Sequence, residues 1–236
     1  MRNIRSSLFL LFFSMFVVVR QGLAGPVEEL AVQTRAVAEQ GNVQAQNTLG
    51  ILYERGIGVR ANPAKALECF RAAANRDDPV GLSLVGRAYA DGRGIAPDDK
   101  EALVWFRKGA QSQLQAFSSR SIPPRAGIDG EIRAAESGNL LALVTVGLMY
   151  LTGDGVEQSD TEAARWLTKG AEQELGGAEQ ALALMYQDGR GGLPKDKAEA
   201  MRLYRQAAEQ DVRNIESALS FTCMMSTGSP DCRGTR

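Results

Sequence analysis

AQNTLGILYERGIGVRANPAKALECFRAAA, residues Ala45 to Ala74, decides the fold because it recurs along the chain. A shift of 36 residues places Gly50 on Gly86, Tyr53 on Tyr89, Gly56-Ile57-Gly58 on Gly92-Arg93-Gly94, Ala66 on Ala102, Phe70 on Phe106 and Ala74 on Ala110. A fixed period of this length, with helical spacing inside it, specifies stacked helix-turn-helix repeats rather than a single closed domain. The fold class is all-α, an α-α solenoid superhelix.

Within the unit, Ala45, Leu49, Gly50 and Tyr53 share one face of a first helix. A glycine in that helix is unfavourable by about 0.5–1 kcal/mol against alanine, so Gly50 points to close packing by a neighbour. Ala183 fills the same place in the last unit, which serves the same need for a small residue. Gly56, Gly92, Gly153 and Gly189 stand where a left-handed cap ends the first helix, and a second glycine two residues on completes the turn. Asn62, Asp98, Ser159 and Asp196 then occupy the N-cap of a second helix, with Glu101, Glu162 and Glu199 three residues after the last three, the capping-box spacing. The Gly-x-Gly turn follows a helix and lacks the Lys-Ser/Thr of a phosphate loop.

The last Ala of each second helix falls at Ala38, Ala74, Ala110, Ala135, Ala171 and Ala208. One interval, 110 to 135, is 25 residues instead of 36 or 37. The reading is a half repeat at 25–42, repeats at 43–78 and 79–114, a degenerate unit at 115–139, repeats at 140–175 and 176–212, and a capping segment and tail at 213–236. Pro123-Pro124, Gly127 and Gly130 predict a loop over 118–130, followed by a short helix over 131–136.

The pattern LG-x-x-Y-x-x-G-x-GV, then KA-x-x-x-F and a closing Ala-Ala, resembles the Sel1-like repeat, a relative of the tetratricopeptide repeat. Leu49-Gly50-Ile51-Leu52-Tyr53 through Val59, and Val146-Gly147-Leu148-Met149-Tyr150 through Val156, carry it most fully. The resemblance covers roughly residues 36–210 and implies a right-handed solenoid of paired antiparallel helices whose concave face binds a protein partner. It further implies a non-enzymatic scaffold or adaptor that regulates or assembles an envelope system. The alternative readings are an immunity-type inhibitor of a secreted toxic enzyme and a structural envelope component.

Composition agrees with a role without chemistry. The chain has no His, which removes the commonest general base, Ser-His and Cys-His nucleophile pairs and most zinc sites, and it has no Ser-x-x-Lys motif. No catalytic, cofactor-binding or metal residue is assigned. Residues 1–24 read as a signal peptide: Arg2 and Arg5, the apolar run Leu8–Val19, then Gly22-Leu23-Ala24. A twelve-residue helix spans about 18 Å, short of a bilayer core of about 30 Å. The expectation is an exported chain, periplasmic or secreted, with no membrane attachment beyond the cleaved segment. Without Arg2, Arg5 and Arg20, 24 of the 27 basic residues remain against 28 acids, scattered without the basic stripe that nucleic acid requires.

Three cysteines remain to be placed. Cys69 takes the position of Trp105, Trp166 and Leu203 in the other units and reads as a small buried hydrophobe. Cys223 and Cys232, nine apart near the C-terminus, are a candidate disulfide in an oxidising compartment, against the alternative of two unpaired thiols.

Positions facing away from the paired helix read Asn47, Ile51, Glu54; Ser83, Arg87, Ala90; Val144, Leu148, Leu151; and Gln180, Leu184, Gln187. The third set is an apolar stripe. Exposed, it marks a partner-binding site; alternatively, residues 117–128 cover it, since the neighbouring unit has lost its first helix. Arg87, Asp91, Gln187 and Asp188 are the further rim candidates.

Overall fold

The repeat unit folds as its punctuation predicts. The computed structural model describes residues 25–119 and 127–227, and every described element is an α-helix. They are α1 Pro26–Glu39, α2 Val43–Arg55, α3 Pro63–Ala74, α4 Pro79–Asp91, α5 Asp99–Ser119, α6 Gly127–Glu136, α7 Leu140–Thr152, α8 Asp160–Glu172, α9 Gly176–Asp188 and α10 Lys197–Thr227. The pairs α2–α3, α4–α5, α7–α8 and α9–α10 are the four units of an all-α helical-repeat solenoid. The expected leader lies outside the described residues.

Each turn is closed by the same hydrogen bond. The backbone N–H groups of the N-cap residues Asn62, Asp98, Ser159 and Asp196 donate to the carbonyls of Tyr53, Tyr89, Tyr150 and Tyr186, at 2.8–2.9 Å. Their side chains accept from the N–H groups of Lys65, Glu101, Glu162 and Glu199. A full capping box would turn the glutamates back onto the cap N–H. That donor is already taken by the tyrosine carbonyl, so Glu162 and Glu199 pair with Arg165 and Arg202 instead.

Small residues set the helix spacing inside a unit. A Cβ added at Gly50 would lie 2.2 Å from Phe70 Cε1, and Gly86 and Gly147 stand in the same relation to Phe106 and Leu167. The turn glycines set the spacing between units. At Gly58, with φ of 64°, an added Cβ would meet the Val27 carbonyl oxygen at 2.2 Å; Gly94 and Gly191 abut Pro63 and Asp160 in the same way. For Gly155 no such backbone neighbour stands among the described residues, and the corresponding position, 124, lies outside them.

The shortened unit changes the course of the stack. Arg35 and Arg71 each donate to the tyrosine hydroxyl of the following unit, Tyr53 and Tyr89, at 2.9 Å. Arg107 is next in that 36-residue series, but position 125, where the tyrosine would stand, carries arginine. Arg107 instead grips Asp188 of the last unit with both terminal nitrogens, at 2.7 and 2.9 Å. Beside it Phe106 of α5 stacks on Tyr204 of α10, with ring centroids 5.2 Å apart and planes 7° from parallel. Units two and four therefore pack directly on one another.

Two expectations differ from the observed helices. Helix α6 begins at Gly127 and holds Gly130 within its first turn, so part of the expected 118–130 loop is helical, as is its start through Ser119; residues 120–126 lie outside those described. The start of the segment from 213, expected as a capping segment and tail, continues the last repeat helix: α10 runs unbroken for 31 residues to Thr227. Its extension covers the inner face of the first units, with Val212 buried among Ile51, Leu84 and Val85, and Leu219 against Ala31, Leu49 and Leu52. Apolar residues at 212, 215, 219 and 223 supply the helical stripe that holds it there.

Because Phe70 is itself buried, the clash at Gly50 has nowhere to relax. Gly50→Ala is expected to lower stability by about 1–3 kcal/mol, despite alanine's better helix propensity. Equilibrium urea denaturation checks this, and an unchanged or raised midpoint contradicts it.

Candidate partner-binding surface

The inner-face residues singled out by the sequence are not on an open surface. Leu148 and Leu151 are buried, and with half-buried Val144 they join the core formed by Ala178, Leu182, Leu114 and Phe117. The apolar stripe is thus core: Leu114 and Phe117 of α5 and the residues of α9 cover it, and of the 117–128 segment that the alternative reading named, 120–126 lie outside the described residues. The cause is the fold-back of the stack, which brings α5 and α9 over α7.

Arg87 is also corrected from rim to interior, at 2% exposed. Its guanidinium donates to Glu54 at 2.5 Å and to Glu209 of α10 at 3.1 Å. Glu54, itself nearly buried, also accepts from Arg93. Arg55 adds Glu209 and Glu216 at 3.6 and 2.8 Å. Buried ion pairs gain little net stability but fix register, since a lost partner strands a charge. This chain of charges sets how α10 lies on α2 and α4.

The seam is imperfectly satisfied. Asn47 Oδ1, Arg87 Nε, Gln180 Oε1 and Asp211 Oδ2 are buried with no hydrogen-bond partner among the described residues, and each such atom costs roughly 1–3 kcal/mol. Burial pushes the Asp211 carboxyl up to about 7, the Asp78 charge adds to this, Arg87 opposes it and Glu179 adds again. Burial likewise raises Glu179, with Glu174 adding.

Two clefts open beside this seam. A charged cleft of about 320 Å³ brings Arg87 and Asp91 together with Glu179, Arg205, Glu209 and Arg213. Asp91 pairs there with Arg93 at 3.2 Å and Arg205 at 3.5 Å. A larger groove of about 910 Å³ runs between the first turns of α5 and α10; Leu103, Val104 and Met201 provide its apolar wall, and Gln187 lines it. Gln187 is held by the Tyr204 hydroxyl at 3.2 Å, while Asp188 is occupied by Arg107. Arg205 lines both clefts.

Of the sequence candidates, then, Arg87 meets Asp91 in one cleft and Gln187 reaches the other; Val144, Leu148, Leu151 and Asp188 are structural. Sequence reasoning missed Leu103, Val104, Met201 and the lysines beside them, because it searched the first helices and the groove is built from second helices. Val104 was a readable signal: an apolar residue outside the Ala102–Phe106–Ala110 packing face, and it is 45% exposed.

Cys69 is half-buried against the Leu49–Leu52 cluster, and burial pushes its thiol up to about 11, with Glu68 adding, so it packs as a hydrophobe. Cys223 is buried on α10; Cys232 lies outside the described residues, and so does the candidate bridge to it. No group of three or more His, Cys, Asp and Glu side chains among the described residues could hold a metal ion, and no described helix is long and apolar enough to cross a membrane.

Capped helix pairs stacked at a 36-residue period define a helical-repeat protein. The Sel1 repeat profile matches residues 43–78, 79–113, 140–175 and 177–212, more than half of the chain, and the chain belongs to the Sel1 repeat family. Proteins of that family are generally non-catalytic and bind other proteins. The chain is 29% identical over 80 residues to a putative sel1-like repeat-containing protein of Acanthamoeba polyphaga mimivirus, which is 34% of this chain and 15% of that one. It is 44% identical over 57 residues to an ERAD-associated E3 ubiquitin-protein ligase component of Arabidopsis thaliana, 24% of this chain and 9% of that one. Among solved structures, a Sel1 repeat protein from Oxalobacter formigenes is 26% identical, with a TM-score of 0.41, over 83% of this chain and 50% of that one. A protective antigen of uropathogenic Escherichia coli strains, also with an SLR fold, is 26% identical, with a TM-score of 0.37, over 89% and 46%. The chain thus spans half or less of these solved structures and under a sixth of these curated relatives.

The raised Asp211 carboxyl gives the seam a pH dependence. A folded value near 7 against an unfolded value near 4 means that stability falls as pH rises from about 4 to 7 and levels off above. Asp211→Asn removes that penalty. Its melting temperature is expected to exceed the parent's at pH 8, with the gap shrinking below pH 7 and closing near pH 4. A gap that is constant with pH, or largest in acid, contradicts the assignment.

Proposed function

We propose that this chain is an exported, non-enzymatic scaffold that binds a protein partner and serves the assembly or regulation of an envelope system. The observation that carries the reading is the combination of four Sel1 repeats with an amphipathic groove left open while the inner face is covered by the chain itself. Nearly every readable repeat position is spent on packing, caps and turns, and Val104 is an exception. That leaves surface recognition as the property in which this chain differs from a regular array.

The leader-like residues 1–24, with small residues ahead of Gly25, support export. In an oxidising compartment Cys223 and Cys232 form a bridge that pins the end of α10, closing a loop short enough to contribute about 2–3 kcal/mol. The partner is engaged from outside the stack, at the groove between α5 and α10.

One preparation tests the proposal. Full-length protein, expressed with its leader, is recovered from the envelope fraction, its intact mass is measured without reductant, and it is used as bait. The expected mass is that of a chain starting at Gly25 and lighter by the two hydrogens of one disulfide. The expected capture is a specific protein, lost when Val104 is changed to Asp and retained when Val32, exposed on α1, is changed to Asp. A chain still beginning at Met1, or a capture indifferent to Val104, contradicts the proposal.

A further inference from the structure

The groove between α5 and α10 carries a more specific reading, which rests on the protein-binding role proposed above. Its walls are second helices of units two and four, which a regular array would keep apart. The Phe106–Tyr204 stack and the Arg107–Asp188 clamp fix them side by side, so the groove is preformed. A preformed site avoids the ordering cost of binding.

The chemistry of the lining selects among occupants. Leu103, Val104 and Met201 give an apolar wall, of which Val104 is nearly half exposed. Lys100 and Lys197 stand at the mouth and make no ion pair with any described residue. Both lie in the first turn of a helix, where the macrodipole favours acids and a cation is unfavourable by about 0.3–1 kcal/mol. Neither lysine is placed for stability. The other charges are engaged: Arg202 with Glu199 and Gln206, and Arg205 with Asp91, Asp99 and the Ala90 carbonyl. What remains unanswered is a positive mouth over an apolar wall.

The charges sit on the rim, with no buried polar cluster on the floor to orient a small molecule. Two parallel features of this kind, a strip of apolar surface and a flanking pair of cations, match a helix laid in a groove. We infer that the groove takes an amphipathic helix of the partner protein, whose apolar stripe packs on Leu103, Val104 and Met201 and whose flanking carboxylates meet Lys100 and Lys197.

The test uses the full chain and a displayed library of 16-residue helices with randomised faces. Selected helices are expected to share apolar residues at i, i+4 and i+7 flanked by Asp or Glu. They are expected to bind the Lys100→Glu/Lys197→Glu double variant about tenfold more weakly or worse, and Val104→Asp likewise. All three side chains are on the surface, and melting temperatures no lower than the parent's show that the variants keep the fold. Selected helices without acids, binding that ignores these variants, or no selected helix at all would overturn the inference. So would a dimer of this chain, seen by sedimentation and dissolved by Val104→Asp, because the groove would then hold a second copy. A natural partner captured equally by the Lys100→Glu/Lys197→Glu variant overturns the groove assignment while leaving the scaffold role standing.

Discussion

The contact between units two and four governs the architecture. In a regular array a unit touches only its neighbours. Here the shortened unit that follows unit two carries no tyrosine at position 125, and Arg107 and Phe106 reach past it and unit three to Asp188 and Tyr204. Once that contact forms, the first helices of both halves face inward together, as the hydrogen bond from Gln180 to Ser83 across 97 residues records. The remaining opening is filled by the extension of α10.

This closure reverses the usual assignment of surfaces. Asn47, Ser83, Arg87 and Gln180 have the polarity of a solvent- or partner-facing inner wall, yet they are buried. The orphaned polar atoms and the raised Asp211 carboxyl are the cost of covering such a wall with the chain's own helix. That cost is offset by the apolar stripe of Val212, Ile215 and Leu219, while the Arg87–Glu209 and Arg55–Glu216 pairs set the register. The open groove then lies on the outside, where two second helices meet.

Much of the repeat was legible because its signals are local. Asn62, Asp98, Ser159 and Asp196 cap helices a few residues away, and Gly56 and its copies end them by their own backbone freedom. The fold-back was not legible, because it depends on pairs separated by 81 to 161 residues, such as Arg107–Asp188 and Arg55–Glu216, whose members look like ordinary surface charges on single helices. The α10 extension lay between: its apolar spacing was visible, but nothing local said what it would cover. The stripe of Val144, Leu148 and Leu151, an exposed binding site on the sequence reading, is core instead, because its cover comes from distant parts of the same chain.

The central claim is that the inner face is closed by the chain itself. Amide hydrogen exchange on the native full-length protein tests it most directly, read across Asp211 to Cys223. Protection there is expected to be comparable to that of Ala200 to Ala208 in the same helix, because Val212 and Leu219 are as buried as the core. Exchange across 211–223 at the rate of an unstructured peptide, with 200–208 still protected, would contradict it.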